Sequence, residues 1–457
     1  MARVFLVNPP SPEPVRSPLL SFCYLAASLE AAGHSVAVLD TSAVHGPRDA
    51  GAIAEAAAAF APDLVGLHLK TLHVQPAYAL ARALADRFVL VAGGPHATVL
   101  PLEPLDHGFR FVLRGEGEEA LVELADALDG RRDLATVRGL AFRDGSDVRT
   151  TTPRGFLLHL DALASPLSAL RLFDPAWYGS ARAVAPGGVL ASRGCPAACT
   201  FCANDVTGRR FRHRSAVAVA DEVRALRDRF DARAFAFFDD SFAVGRRRVA
   251  ELCDALEAVG EIAWSCTAHP AHLDREVLAR MRRAGCGGLD IGMESADPDR
   301  LRAIGKGVTV ERVREVVARC GELGLRVVVN LMFGWPGETP AELERALAFM
   351  EETASLGAMW NARGVLVPYP GTVEYERHHA RCGFSRWWLD EPPLANAPFP
   401  SAWSADEITR AYAADAALDR NFFRHGPEVL RLIEEALRAK ARHTLARALA
   451  PTVPRAT

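Results

Sequence analysis

Cys195-Pro-Ala-Ala-Cys199-Thr-Phe-Cys202 places three cysteines within eight residues. The stretch directly follows a predicted strand, Val189–Ser192, so the three thiols can converge on one metal centre. Thiolates are soft ligands suited to iron–sulfur clusters. A closed cluster wants four cysteines, and no fourth lies nearby: Cys253, Cys266 and Cys286 are far along the chain. Three ligands leave one metal position open, and an open position implies chemistry on a bound molecule. A zinc knob and a set of unrelated buried thiols are the structural alternatives to this reading.

Working outward, the strand before the cysteines opens a second βα series. Its expected strands are Val189–Ser192, Ala234–Phe238, Ala263–Thr267, Leu289–Gly292, Val327–Phe333 and Gly364–Val367. Expected helices near 215–229, 246–259, 274–284, 309–323 and 340–356 separate them. Six strands alternating with helices suit a partial (β/α)6 barrel, whose chemistry sits in loops at the carboxyl ends of its strands. Upstream, short apolar runs at Val4–Val7, Val36–Leu39, Leu64–His68, Val89–Ala92 and Phe111–Leu113 alternate with Ala-rich helical stretches. Nearly continuous apolar strands of this kind are covered on both faces, which makes the amino-terminal region a doubly wound, Rossmann-like sheet. The predicted fold class is therefore α/β. Residues 1–135 are the doubly wound domain, 136–187 a linker, 188–375 the barrel and 376–457 a mostly helical region.

Composition bounds the function. The chain has 457 residues, 49% of them hydrophobic and 24% charged, with a formal net charge of −3. That balance fits a soluble globular protein and lacks the basic surplus of a nucleic-acid binder. Nine cysteines in so long a chain are too sparse for a disulfide scaffold and point to a reducing compartment. The opening apolar run is too short for a signal-peptide core, and no apolar stretch could span a bilayer. A cytoplasmic protein without membrane or nucleic-acid partners is expected.

Three loops at the expected carboxyl edge of the first sheet carry candidate ligand contacts. These are Asn8-Pro9-Pro10, Gly93-Gly94-Pro95-His96 and Arg114-Gly115-Glu116-Gly117-Glu118. Glycines let backbone approach a ligand closely, although each loop taken alone reads equally as a tight turn.

Gly194-Cys195-x-x-x-Cys199-x-Phe201-Cys202 resembles the radical S-adenosylmethionine (SAM) motif, including the aromatic residue before the last cysteine. Further motifs follow in order: Arg212-His-Arg-Ser215, Phe237-Phe238-Asp239-Asp240-Ser241, Gly292-Met-Glu294-Ser295 and Gly334-Trp-Pro-Gly337-Glu338-Thr339. The resemblance implies a 4Fe–4S cluster on Cys195, Cys199 and Cys202, with SAM chelated to the open iron. It also implies SAM contacts from Phe201, from Asp239 or Asp240 standing in for the usual Gly-Gly-Glu, from Glu294, and from the adenine-contacting segment at Gly334. Each of these acidic residues reads alternatively as a helix cap or a solvated loop charge.

The doubly wound domain ahead of the barrel narrows the resemblance to the cobalamin-binding radical SAM family, over roughly residues 1–375. Gly93-Gly94-Pro95-His96, Arg114–Glu118, Leu160-Asp161-Ala162-Leu163 and Pro368-Tyr-Pro-Gly371-Thr372 resemble segments of that family. It implies cobalamin near Asn8, Thr71, His73, Gly93, Gly94, His96, Gly115 and Glu116. The string Asp-x-His-x-x-Gly, which supplies a cobalt ligand in many cobalamin folds, is absent, so no histidine from that loop coordinates the metal. His68 and His73 could approach the corrin or act as hydrogen-bonded loop residues.

The implied function is methylation of an unactivated centre in a small molecule or peptide, with an electron donor such as flavodoxin or ferredoxin. In such relatives one SAM methylates cobalt and a second yields the 5′-deoxyadenosyl radical. The alternatives are a non-methylating radical SAM dehydratase, epimerase or cyclase, and a non-enzymatic iron–sulfur protein. No catalytic residue is assigned, and Trp335, Tyr369, Trp387 and Trp388 are read as packing or cavity residues.

Overall fold

The structure, a computed structural model, describes residues 1–12, 14–179, 185–186, 188–203, 206–361, 364–394 and 415–448. The chain divides into two compact units. The first comprises Met1–Cys195, Ala203–Ala236 and Arg386–Ala395; the second comprises Pro196–Cys202, Phe237–Ser385 and Asn396–Thr457. No described helix is long and apolar enough to cross a membrane.

The first unit is built on a seven-stranded sheet in the order β2-β1-β3-β4-β5-β6-β7. Its parallel strands are β1 (Arg3–Asn8), β2 (Ser35–Asp40), β3 (Leu64–His68), β4 (Leu90–Gly93) and β5 (Phe111–Leu113). The hairpin β6 (Leu140–Asp144) and β7 (Asp147–Thr150) adds two antiparallel strands. Buried residues run almost unbroken along β1 and β3, as expected where helices cover both faces. The strand order reverses direction between β1 and β3. Open α/β sheets bind ligands at such a switch point, outside the strands' carboxyl ends. Here those ends are Asn8 and the loop after His68.

The second sheet has six strands, ordered β15-β14-β13-β12-β11-β8. They are β8 (Gly188–Val189), β11 (Ala234–Phe237), β12 (Ala263–Ala268), β13 (Cys286–Glu294), β14 (Arg326–Leu331) and β15 (Ala358–Trp360). The pairings β12–β13, β13–β14 and β14–β15 are parallel. Six helices in and after this sheet start where the sequence supplies a cap. Ser215, Asp274, Asp297, Thr309, Thr339 and Thr372 each accept a hydrogen bond from a first-turn N–H.

Two features depart from expectation. The predicted first strand divides into β8 and β9 (Ser192–Arg193), and β9 pairs antiparallel with β10 (Arg212–His213). The sixth strand is Ala358–Trp360 rather than Gly364–Val367, which makes only an isolated bridge from Val365 to Phe333. The reason is a side chain from a distant segment. Asp415 Oδ2 accepts from the N–H groups of Gly364 and Val365, at 3.0 and 2.8 Å, so a side chain takes the bonds a strand would need. Trp360 is fully buried and anchors the strand that does form. The helical carboxyl-terminal expectation is met over Val373–Cys382, Ala416–Arg420 and Pro427–Ala448; residues 395–414 and 449–457 lie outside the described residues.

Candidate cofactor sites

The cysteine loop begins at Gly194, which has a φ of 84°. A side chain there would overlap the Arg210 carbonyl, so only glycine lets β9 turn so close to the returning chain. Cys195 N–H donates to Gly208 O at 3.1 Å, and Cys202 N–H donates to Cys199 O at 3.3 Å. Thr200 locks the loop from the other side. Its N–H donates to Ile304 O at 3.0 Å and its hydroxyl to Glu374 Oε1 at 2.6 Å, while Glu374 N–H donates back to Thr200 O.

None of the nine cysteines forms a disulfide. Cys195 and Cys202 are partly or fully exposed and Cys199 is buried. By contrast, burial pushes the Cys23, Cys253 and Cys320 thiols up to about 12, which keeps them protonated at neutral pH. Among the described residues no three His, Cys, Asp or Glu side chains gather into a finished metal centre. The donor set nonetheless fits an iron–sulfur cluster: three thiols on one loop, tied down by backbone bonds on both flanks.

Phe201, before the last cysteine, meets the Trp335 ring edge-on at 5.5 Å between centroids. The Lys306 ammonium lies 5.8 Å from the Phe201 ring centroid. Lys306 also donates to Glu294 Oε1 at 2.8 Å, and both residues are buried. Glu294 ends β13 after a register shift and has a φ of 74°, rare for a residue other than glycine. Strained backbone of this kind collects at functional sites. A Cβ at Gly292 would overlap both Glu294 Oε1 and Lys306 Nζ, so glycine makes room for the pair. Glu294 is an expected site residue, whereas its partner Lys306 belongs to none of the motifs. Its signal is a lysine flanked by two glycines, Gly305-Lys306-Gly307, just after a short helix.

The Gly334 turn is held by Glu338, whose Oε2 accepts from Gly334 N–H at 2.5 Å and Trp335 N–H at 3.3 Å. Burial pushes the Glu338 carboxyl up to about 8, and the Gly334 N–H opposes that rise. Gly334, Trp335, Phe201, Lys306 and Glu294 thus form a linked set in the second unit. The two aspartates after β11 separate. Asp239 is buried against Arg248, 3.5 Å away, whereas Asp240 is exposed. Next to them Ser241 Oγ is buried with no hydrogen-bond partner among the described residues. An orphaned hydroxyl beside an exposed carboxylate fits a polar ligand.

In the first unit the switch-point residues are tied together. Asn8 donates to Asp40 Oδ1 at 2.8 Å, and Tyr178 donates to Asp40 Oδ2 at 2.8 Å. Burial raises the Asp40 pKa, and these two bonds oppose the rise. Thr71 Oγ1 lies 3.1 Å from His96 Nδ1, and His96 Nε2 lies 3.0 Å from both Tyr78 Oη and Glu103 Oε1. His73 Nδ1 lies 3.1 Å from Ser11 Oγ. His68 is half-buried and held neutral, its pKa pushed down to about 3 by desolvation and then by the Lys70 charge. A Cβ at Gly94, whose φ is 98°, would overlap the His68 ring and come within 2.9 Å of Leu69 O. A Cβ at Gly93 or Gly115 would meet nothing within 4 Å, so these two glycines leave open space at the carboxyl edge. Such a ledge fits a flat, bulky cofactor.

Two of the expected cofactor contacts sit in ion pairs. Glu116 is bound to Arg193 and Arg212, and Asp239 faces Arg248. Both side chains are largely buried, as is that of Glu294 beside Lys306.

Residues 189–350 match the family model of the radical SAM superfamily, and residues 16–125 match that of the B12 binding domain. The chain is 30% identical over 387 residues to an uncharacterized methyltransferase of Pyrococcus horikoshii, covering 82% of each protein. It is 29% identical over 334 residues to an anaerobic magnesium-protoporphyrin IX monomethyl ester cyclase of Synechocystis, covering 69% of this chain and 65% of that one. Its fold is similar to that of the radical SAM methyltransferase TsrM of Kitasatospora setae, solved with cobalamin and a [4Fe-4S] cluster. That similarity has a TM-score of 0.68 at 20% identity, covering 90% of this chain and 85% of TsrM.

Proposed function

From the premise that this chain belongs to the cobalamin-binding radical SAM enzymes, we propose that it methylates an unactivated centre in a small molecule or peptide. Its cofactors are a 4Fe–4S cluster, SAM and cobalamin. When bound, they supply a reducing electron, a radical precursor and a methyl carrier. The observation that carries the proposal is the pairing, in one chain, of the three-thiol loop with a switch-point sheet whose edge is opened by Gly93 and Gly115.

The residues divide the work as follows. Cys195, Cys199 and Cys202 would hold the cluster. Asp240 and Glu294 would hold the polar end of SAM, with charge-assisted hydrogen bonds to its ammonium and hydroxyl groups. Lys306 orients Glu294 through its hydrogen bond to Oε1. Phe201 and the Gly334 turn would border the adenine, and Glu338 fixes that turn. Asn8, Thr71, His73, Gly93, Gly94, His96 and Gly115 would line the cobalamin site. Burial of Glu294, Lys306 and Trp335 keeps water away from the site they share. Reduction would come from a flavodoxin- or ferredoxin-like donor.

The cyclase relative supports a second reading, radical chemistry without methyl transfer. Incubation of the reconstituted enzyme with methyl-labelled SAM and pools of small molecules and peptides separates the two. Label in a product supports methylation. A changed product with deoxyadenosine and no label supports the second reading.

A further inference from the structure

The loop Arg114–Glu118 follows β5, at the sheet edge assigned to cobalamin, yet its carboxylates bind the hairpin that carries the first cluster cysteine. We propose that Glu116 is a positioning residue for the cluster, fixing both strands of the β9–β10 hairpin and through them Cys195.

The hairpin cannot hold itself. Each strand is two residues long, with Arg193 opposite Arg212 and Ser192 opposite His213. So short a pair is not stable alone. Both strands are instead held from one carboxylate. Glu116 Oε1 accepts from Arg193 Nη1 at 3.0 Å and from Arg212 Nη1 at 2.8 Å. Glu116 Oε2 accepts from Arg212 Nη1 at 2.8 Å and from Leu157 N–H at 2.6 Å. Arg193 also donates to Glu118 Oε1 at 2.5 Å, so two guanidiniums face two carboxylates and the network is neutral.

Arg212 passes this hold to the cysteine. It donates to Leu157 O at 2.8 Å and, from Nη2, to Thr207 O at 2.7 Å. Thr207 adjoins Gly208, whose carbonyl receives the Cys195 N–H. On the other strand Arg193 is two residues before Cys195. Side-chain exposure is 2% for Arg212, 8% for Glu116 and 12% for Arg193, so water does not compete for these bonds. A guanidinium fork fixes orientation in a way that a lysine ammonium does not. Partners outside the ligand shell commonly set ligand geometry in this way.

The proposal rests on the cluster assignment and is independent of methylation. Its test uses the full-length chain, anaerobically reconstituted with iron and sulfide, as Glu116→Asp and Arg212→Lys. Both variants keep the charge and lose the geometry. Leu124→Ala, in the buried core of helix Gly117–Leu128, is the control for lost stability alone. Iron retention against a chelator and the electron paramagnetic resonance spectrum of the reduced cluster are read with and without SAM. Thermal melting of the unreconstituted chain is recorded alongside. The expected result is about tenfold weaker iron retention and an altered spectrum in both hairpin variants. Leu124→Ala should melt earlier and keep the wild-type spectrum. Wild-type retention and spectra in both hairpin variants would overturn the proposal. Full iron in Cys195→Ala would instead overturn the cluster assignment beneath it.

Discussion

Lys440 offers a sharp test of how the second unit is built. It lies on the helix Pro427–Ala448, is completely buried, and donates to Leu331 O at 2.6 Å and Asn361 Oδ1 at 2.9 Å. It therefore braces the end of β14, one residue before Met332, whose N–H donates to Glu294 O. Burial pushes its pKa from 10.5 down to about 7, only partly opposed by Asp415 and Glu294. That drop corresponds to about 5 kcal/mol against the ionised form. Between about pH 7 and pH 10.5 the unfolded chain carries a proton that the folded chain has released. Stability should therefore rise with pH through this window, by up to about 1.4 kcal/mol per pH unit. Below about pH 7 both states are protonated and the full penalty applies. Lys440→Met removes the penalty and leaves Leu331 O without this donor, at a cost of about 1–3 kcal/mol. The variant should thus match or exceed wild-type stability near neutral pH and fall behind in alkali. The difference should move by about 3 kcal/mol between about pH 7 and pH 9.5. Urea unfolding followed by tryptophan fluorescence measures it, with buried Trp360 beside Asn361 as a local reporter. Parallel pH profiles for the two proteins would show that Lys440 carries no buried-charge penalty.

Other expectations concern the cofactors. Replacing Cys195, Cys199 or Cys202 with Ala should prevent stable cluster binding, measured as iron and sulfide per chain. Cys253→Ala and Cys320→Ala should keep the cluster, and a Cys199→Ala protein with full iron would refute the ligand assignment. Glu294→Gln or Asp240→Asn should weaken SAM binding by about ten- to a hundredfold in equilibrium dialysis, the loss of one charge-assisted hydrogen bond of about 1.5–3 kcal/mol. The cluster should survive both changes, and unchanged affinity in both would count against this placement of SAM. Gly94→Trp should block cobalamin uptake, read by absorbance, because any side chain there must displace His68 or Leu69 O. Its cluster should still assemble, and normal cobalamin uptake would remove Gly94 from the site.

Strand positions and the cysteine loop were legible in the sequence because each rests on local pattern. Apolar runs between Ala-rich helices define the first sheet, and three thiols in eight residues define the loop. What stayed hidden depends on contacts between distant segments. Nothing near Arg212 in the sequence shows that it meets Glu116. Asp239 and Asp240 look equivalent in sequence, and only the position of Arg248 separates the buried one from the exposed one. Gly364–Val367 has the composition of a strand, but Asp415, some fifty residues on, takes its N–H groups. Lys306 and Lys440 were invisible for a different reason. Lysine is normally solvated, and its burial follows from partners that no local pattern encodes.

In the proposed function one chain joins cobalamin to a SAM-binding iron–sulfur centre for methyl transfer. The most direct measurement is mass analysis of the corrinoid recovered from wild-type enzyme. The protein is reconstituted with iron, sulfide and hydroxocobalamin, reduced, and incubated with SAM labelled in its methyl group. The expected result is stoichiometric cobalamin on the protein, with label recovered on it. A protein that cleaves SAM to deoxyadenosine while retaining no cobalamin, or whose cobalamin never carries label, would contradict it.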